Sequence, residues 1–439
     1  MLETLRNALK VKEIRKRLLY TFMMLVVVRL GSQIPLPFVN GDTVKSITSQ
    51  FSEGAFSFFA AITGGSMENM SIFALSITPY ITASIIIQLL TIAIRKLEEM
   101  QKEGEDGRKK IASITRYVTI GLSLIESIAM AVGFGRSGLI KNSAQLSTLH
   151  YVVCIIVVVA ALTAGSAVLM WLGERITEKG VGNGISIVLL INIISGMPSD
   201  FATLYSTFVA PKTPAKGVLA AVIILAILIV MVVLVCFLQD GERRIPVQYS
   251  QKVSGRRTVG GQSTNIPLKV NTAGVMPIIF ASSLMQFPVI IAQLFGKSYE
   301  WTRYLSSSYW CRVEAPKYSI GLLVYIVLLI IFAYFYTSIT FNPIEVADNL
   351  KKAGGVIPGI TPGKSTSEYL NKILNYIVFI GAVGLLIIAL IPIMCTGFFN
   401  ASVSFGGTSI IIIVGVVLET LKQIESQMCN RYYKGFLSE

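Results

Sequence analysis

The chain has 439 residues, 53% of them hydrophobic and 14% charged, with a net charge of +14 and a mean hydropathy of +0.67. Soluble domains carry about 25% charged residues, so this composition excludes a soluble globular fold and predicts an integral membrane protein with many spans. The basic residues are divided among short loops, which argues against nucleic acid as a specific partner.

Ten hydrophobic segments follow in chain order. The first five are Leu18–Ile34, Ile72–Ile94, Ile111–Val132, Leu149–Leu172 and Gly184–Gly196; the second five are Gly217–Leu238, Thr272–Leu294, Tyr318–Phe341, Ile373–Met394 and Gly406–Ile424. Eight are near the roughly 20 residues that a bilayer requires. The second is unusual. Ser71, Ser76, Thr78, Thr82, Ser84 and Gln88 stand among its apolar residues, and Pro79 interrupts it. Polar groups find no water in hydrocarbon, so this span should line a cavity or a helix–helix contact.

Lys and Arg fix the orientation. The N-terminal segment, the alternate loops and the C-terminal tail hold 26 of them; the other loops hold 9, and Arg29, Arg116 and Lys422 lie inside spans. The richer side is expected to be cytoplasmic, with both termini there. Two loops on that side are long. Gln239–Val270 carries Arg243, Arg244, Arg256 and Arg257, and Asn342–Lys372 contains GGVIPGITPG. Loops of this length suggest hairpins and a docking role.

A cut near Pro211 gives two halves, 1–210 and 211–439, of five spans each. The second span of each half is interrupted by proline, Pro79 in one and Pro277 and Pro288 in the other. The fifth is expected to be short in both: Gly184–Gly196 would span about 20 Å as a helix, against a core of about 30 Å. In the last, the strongly apolar part runs from Ser409 to Leu418. An odd number of spans per half inverts the second relative to the first, as in inverted-topology repeats. Such oddities at matching positions nominate the second, fifth, seventh and tenth spans as the lining of a central pathway.

Ionisable chemistry is sparse. Glu126 and Arg29 are the charges well inside a span, His150 is the single histidine, and the five cysteines are far apart. There is no Walker loop, metal cluster or catalytic triad, so neither an enzyme nor a cofactor is expected. A secondary transporter for a small solute is the alternative, but ion-coupled carriers usually place several ionisable groups at mid-depth.

Several motifs together resemble the SecY family of protein-conducting channels. They are KRLL at Lys16–Leu19, RLGSQIPLP at Arg29–Pro37, PYITASIIIQLLT at Pro79–Thr91, KEGEDGRKKI at Lys102–Ile111, MWLGERITEKGVGNGISI at Met170–Ile187, GGQSTNIPLKVNTAGVMP at Gly260–Pro277, FNPIEVADNLKKAGG at Phe341–Gly355 and FGGTSI at Phe405–Ile410. The resemblance implies an all-α clamshell of two inverted five-helix halves around an hourglass pore. Its waist would be an aliphatic ring formed by Ile77, Ile81, Leu189, Ile279 and Ile412. A short re-entrant plug would lie between Phe56 and Met67, with Phe56, Phe58, Phe59 and Ile62 as its apolar part and Gly64 and Gly65 as its mobile end. A lateral gate would run between the second and third spans on one side and the seventh and eighth on the other, with Thr82, Thr115 and Asn271 at polar positions. The implied partners are SecE, SecG, the SecA ATPase or a ribosome, signal peptides, secretory precursors and the lipids of the bacterial plasma membrane. Two positions depart from the family pattern: Thr361 stands where GIRPG has arginine, and Ser76 stands where the second span typically has glycine.

Overall fold

A computed structural model of the chain describes residues 6, 9–41, 63–135, 140, 147–210, 214–249, 252–254, 257–259, 263–294, 300–306, 309–311, 316–399 and 407–435. The fold is mostly helical. In chain order the helices are α1 (Lys12–Gly31), α2 (Thr78–Ala93), the short α3 (Arg95–Lys102), α4 (Glu105–Gly135), α5 (Thr148–Lys179), α6 (Gly184–Leu204), α7 (Pro214–Asp240), α8 (Met276–Leu294), the short α9 (Glu300–Leu305), α10 (Ile320–Thr340), α11 (Pro343–Lys352), α12 (Lys364–Phe399) and α13 (Gly407–Gly435). Ten of them fall, in order, on the ten hydrophobic segments.

Among the described residues, six stretches are long and apolar enough to cross a membrane by themselves, on α4, α5, α6, α7, α10 and α12. Of the other four, α8 has a shorter apolar stretch, Met276–Met285, and the remaining three have physical reasons to fall short. α1 begins with Lys12, Arg15, Lys16 and Arg17, and α13 carries Glu419, Lys422 and Glu425 beyond its apolar half. α2 is 16 residues long and is followed by α3 at an angle of 99°.

Helix starts obey local chemistry. Asn183 caps α6 by accepting from the Ile185 N–H at 3.2 Å, and Asn342 caps α11 by accepting from Ile344 N–H at 3.1 Å, with Pro343 in the first turn. Proline suits that place, because its missing N–H would have no partner there. The same rule corrects one expectation. Pro79 does not interrupt a helix running from Ile72; the helix starts at Thr78 and Pro79 occupies its first turn. The residues before it form turns, with Met70 at φ 39° and Ser76 at φ 52°.

A second correction concerns the fifth span. It is not short: α6 continues through Pro198 to Leu204 and then as a π-helical turn over Tyr205–Val209, 26 residues in all. Ser199, Asp200 and Thr203 lower its hydropathy without ending it. The tenth span is likewise a 29-residue helix, apolar at one end and charged at the other.

The two long loops form one small sheet of order β4–β1–β5, where β1 is Glu242–Tyr249, β4 is Ser263–Lys269 and β5 is Gly355–Val356. β1 pairs antiparallel with β4 along Glu242↔Lys269 to Gln248↔Ser263, making the expected hairpin, and its end pairs with β5 at Gln248↔Val356. The inner residues Ile245, Val247 and Leu268 pack with Ile357, Leu370 and Ile373. A further two-stranded ribbon joins β2 (Lys252–Ser254) to β3 (Arg257–Val259). Among the described residues, these strands and two isolated bridges, Pro35↔Ser71 and Val39↔Ile140, are the β-structure.

Among the described residues, the contacts between the halves include two helix pairs. α6 packs on α13, and α4 packs on α8. In the first half, α1, α5 and the start of α2 pack on α6, and α4 packs on α2 and α5; in the second, α7, α10 and α12 surround α8 and α13.

Candidate functional site: a central aliphatic constriction

Four of the five nominated ring residues are buried in one hydrophobic cluster: Ile77 on the turn before α2, Leu189 on α6, Ile279 on α8 and Ile412 on α13. Ile81, one helical turn beyond Ile77, is half-buried against the same cluster. Their exposures run from 1% at Ile77 to 6% at Leu189. These residues come from four helices in both halves, so no local packing rule brings them together. Val28, Phe73, Leu169, Leu172, Ile176 and Ile187 back the cluster from the first half, and Val416 from the second.

The structure adds two residues that the sequence reading missed, Val275 and Met276, which pack on this cluster where the chain enters α8. A signal for them was present. Gly274 has φ 62° and stands three residues before Pro277, just as Ser76, at φ 52°, stands three before Pro79. Val275 therefore holds the place of Ile77, and Ile279 the place of Ile81. The chemistry of such a cluster is exclusion. Aliphatic side chains offer water and ions no hydrogen bonds, and a narrow constriction of this kind gates by dewetting.

A polar layer adjoins the ring. Asn192 on α6, 3% exposed, donates from Nδ2 to Ser76 Oγ at 3.0 Å, and its Oδ1 is buried without a partner. Arg29 Nη1 donates to the Gly64 carbonyl at 3.3 Å. The stretch from Thr63 to Ser71 is packed down: Thr63, Ser66, Met70 and Ser71 are buried, Leu36 N–H donates to Met70 O at 2.9 Å and Ile72 N–H to Ile34 O at 3.0 Å. Of the nominated plug, Gly64 and Gly65 belong to this stretch and both have positive φ. Phe56, Phe58, Phe59 and Ile62 lie outside the described residues.

The three polar gate positions are not joined to one another. Thr82 Oγ1 donates to Thr78 O at 3.1 Å and Thr115 Oγ1 to Ile111 O at 3.0 Å, each within its own helix. Asn271, 6% exposed, has a buried Nδ2 without a partner. Thr115 heads a buried hydroxyl stripe on α4, Thr115, Thr119, Ser123 and Ser127, all bonded back to carbonyls one turn earlier. Ser127 also meets Thr163 of α5 at 3.1 Å.

In the loop platform, Arg243 is exposed and Arg244 pairs with Glu242 at 2.6 Å. Arg257 starts β3, and Arg256 lies outside the described residues. Thr361 is exposed at the tip of its loop, where its carbonyl accepts from Thr366 Oγ1 at 2.9 Å.

The SecY family model matches residues 71–421. The chain is 43% identical to the protein translocase subunit SecY of Halalkalibacterium halodurans and 40% identical to that of Bacillus subtilis, in both cases over the whole of each chain. A solved structure described as a protein conducting channel superposes with a TM-score of 0.65 at 16% identity, covering 94% of this chain and 93% of that one. The canine Sec61 chain in a ribosome–channel complex superposes at 0.61. By sequence along its full length, and with a fold to match, this chain belongs to the SecY family.

Proposed function

We propose that this chain is the channel subunit of a protein translocase, passing unfolded secretory polypeptides across a membrane and releasing hydrophobic segments sideways into it. The observation that carries the reading is the aliphatic cluster built from α2, α6, α8 and α13, two helices from each half. A collar of flexible side chains can part around a polypeptide and close behind it, while its dry surface resists ions. The chain performs no chemistry in this reading. A small-solute carrier is not favoured, since the relatives that match this chain over its whole length are protein translocase subunits.

In the same reading, Phe56–Met67 is the plug, and the halves 1–210 and 211–439 part where α4 meets α8. Thr82, Thr115 and Asn271 then border the gate. Hydrophobic signals favour insertion by about 0.3–0.6 kcal/mol per Leu or Ile. Interhelical polar bonds are worth about 1 kcal/mol or less, so a signal of about ten such residues outweighs a few of them. SecE and SecG are the proposed membrane partners. SecA or a ribosome would dock on the long loop 239–270, through Arg243 and Arg244 on β1 and Arg256 and Arg257 beyond it. Thr361 removes one positive charge from the usual contact. The proposed site is the bacterial plasma membrane, with both termini cytoplasmic. The solved canine Sec61 chain is described in a ribosome–channel complex, which supports a ribosome as a partner here.

The test is reconstitution. The purified complex in liposomes, supplied with SecA and ATP or with translating ribosomes, should protect a secretory precursor from external protease. Failure with both engines would overturn the reading. Deleting Phe56–Met67 should raise idle ion conductance in planar bilayers, and unchanged tight sealing would sink the plug assignment.

A further inference from the structure

α1 carries a cation where cations are costly. Arg29 lies two residues before the end of the helix, half-buried, and among the described residues it has no carboxylate partner. A buried guanidinium needs acceptors, and within membrane spans such groups pair with each other or with carbonyls. Here the acceptor is the carbonyl of Gly64, 3.3 Å from Arg29 Nη1. Ser195 Oγ of α6 approaches the same oxygen at 3.3 Å, but it lies closer to Asn192 O, at 2.7 Å. A hydroxyl has one proton to give, and the shorter bond claims it. Arg29 is therefore the principal donor to Gly64.

Gly64 fits this place and other residues do not. Its φ is +60°, and a Cβ there would stand 2.4 Å from Asn192 O and 2.6 Å from Ser195 Oγ. The glycine backbone thus rests directly on α6. The other end of the same stretch is fixed to the same helix, where Asn192 Nδ2 donates to Ser76 Oγ at 3.0 Å. Ser76 immediately precedes ring residue Ile77. Residues 63–76 are held at one end by Arg29 and Gly64 and at the other by Asn192 and Ser76, and the ring begins where the second hold ends.

We infer that Arg29 and Gly64 form a closing latch for the pore. The charge-assisted bond from α1 holds the start of that stretch, Thr63–Gly65, against α6, while the bonds of Met70 and Ile72 to Leu36 and Ile34 hold its middle; release of the latch frees the start and lets the ring wet. Arg29 acts through Gly64 and is a positioning residue. The inference rests on the channel reading and adds to it the residues that set the closed state.

The experiment uses the whole translocase in planar bilayers for idle conductance, and in proteoliposomes for precursors with intact or defective signal sequences. Arg29→Gln should raise the idle open probability about tenfold, the loss of one charge-assisted bond, and should admit precursors with defective signals. Arg29→Lys keeps a donor and should stay near wild type. Gly64→Ala should match Arg29→Gln, and the double variant should leak no more than the worse single, as expected of two parts of one contact. Ser195→Ala should also stay near wild type, because its proton goes to Asn192 O and not to Gly64 O. Arg29→Gln sealing as tightly as wild type, or leaks that add in the double variant, would overturn the latch. If Arg29→Gln does not assemble, Gly64→Ala decides the matter by the same readouts, with Ser195→Ala as its control. A wild-type complex that admits no precursor fails the channel reading instead, so the two failures are distinguishable.

Discussion

Two helices enter the centre of this protein by the same backbone device, and what surrounds them differs. Before α2, Ser76 adopts a left-handed conformation, Ile77 follows, and Pro79 lies in the first helical turn. Before α8, Gly274 does the same, followed by Val275 and Pro277. Ser76 is 1% exposed and accepts a hydrogen bond from Asn192. Gly274 has open space around its Cα and is half-buried. The first turn is thus pinned by a named interaction and pays for it with an uncommon φ for a residue with a side chain. The second relies on glycine's own freedom. A pinned turn should hold one shape, and a turn that rests on glycine alone should yield more readily. The two turns are alike in path and are expected to differ in stiffness.

The largest expected effect tests burial. Ile77→Asp places an unpaired carboxylate in the buried cluster and should cost several kcal/mol, read as lost thermal stability of the purified complex and a large idle ion leak. Val275→Asp, at the matching but half-buried position, should cost less by both measures. Equal effects would break the proposed difference between the turns.

Next comes the pin itself. Asn192→Ala removes the donor to Ser76 and should cost about 1–3 kcal/mol. Hydrogen exchange should quicken over residues 70–77 and stay unchanged over 270–275. A smaller loss, about 1 kcal/mol, is expected for Gly274→Ala. It arises from the left-handed backbone and not from a clash, since no atom lies within 4 Å of the added Cβ. Thermal unfolding in detergent measures it. The smallest effect belongs to Ser76→Gly. Relief of the left-handed backbone, about 1 kcal/mol, offsets a lost hydrogen bond of about the same size. A marked loss of stability in this variant would show that the serine hydroxyl does more than pin the turn.

Much of this was legible in the sequence, for physical reasons. Apolar segments of bilayer length announce themselves, and all ten fall on helices in order. The clustering of Ile77, Leu189, Ile279 and Ile412 had no mark in hydropathy, because an isoleucine in a span looks like any other; only the resemblance to a known family nominated these residues, and spacing adds that Ile77 and Ile81 lie one helical turn apart. The length of α6 was misread because Ser199, Asp200 and Thr203 look like a loop, while the backbone bonds that continue the helix do not depend on hydropathy. The left-handed turn at Ser76 hid behind a serine, although glycine at the same spacing before Pro277 offered the comparison. Thr82 and Thr115, nominated as polar gate positions, turn their hydroxyls back on their own helices. Choosing between a cross-helix partner and a carbonyl one turn away requires three-dimensional neighbours.

The platform has a mechanical consequence. β1 shares its hydrogen bonds between β4 nearby in the chain and β5, which begins a hundred residues on at Gly355. A load borne by either loop is therefore delivered to both, and through Leu370 and Ile373 to the start of α12. Whatever presses on this surface works on a lever already welded to the second half.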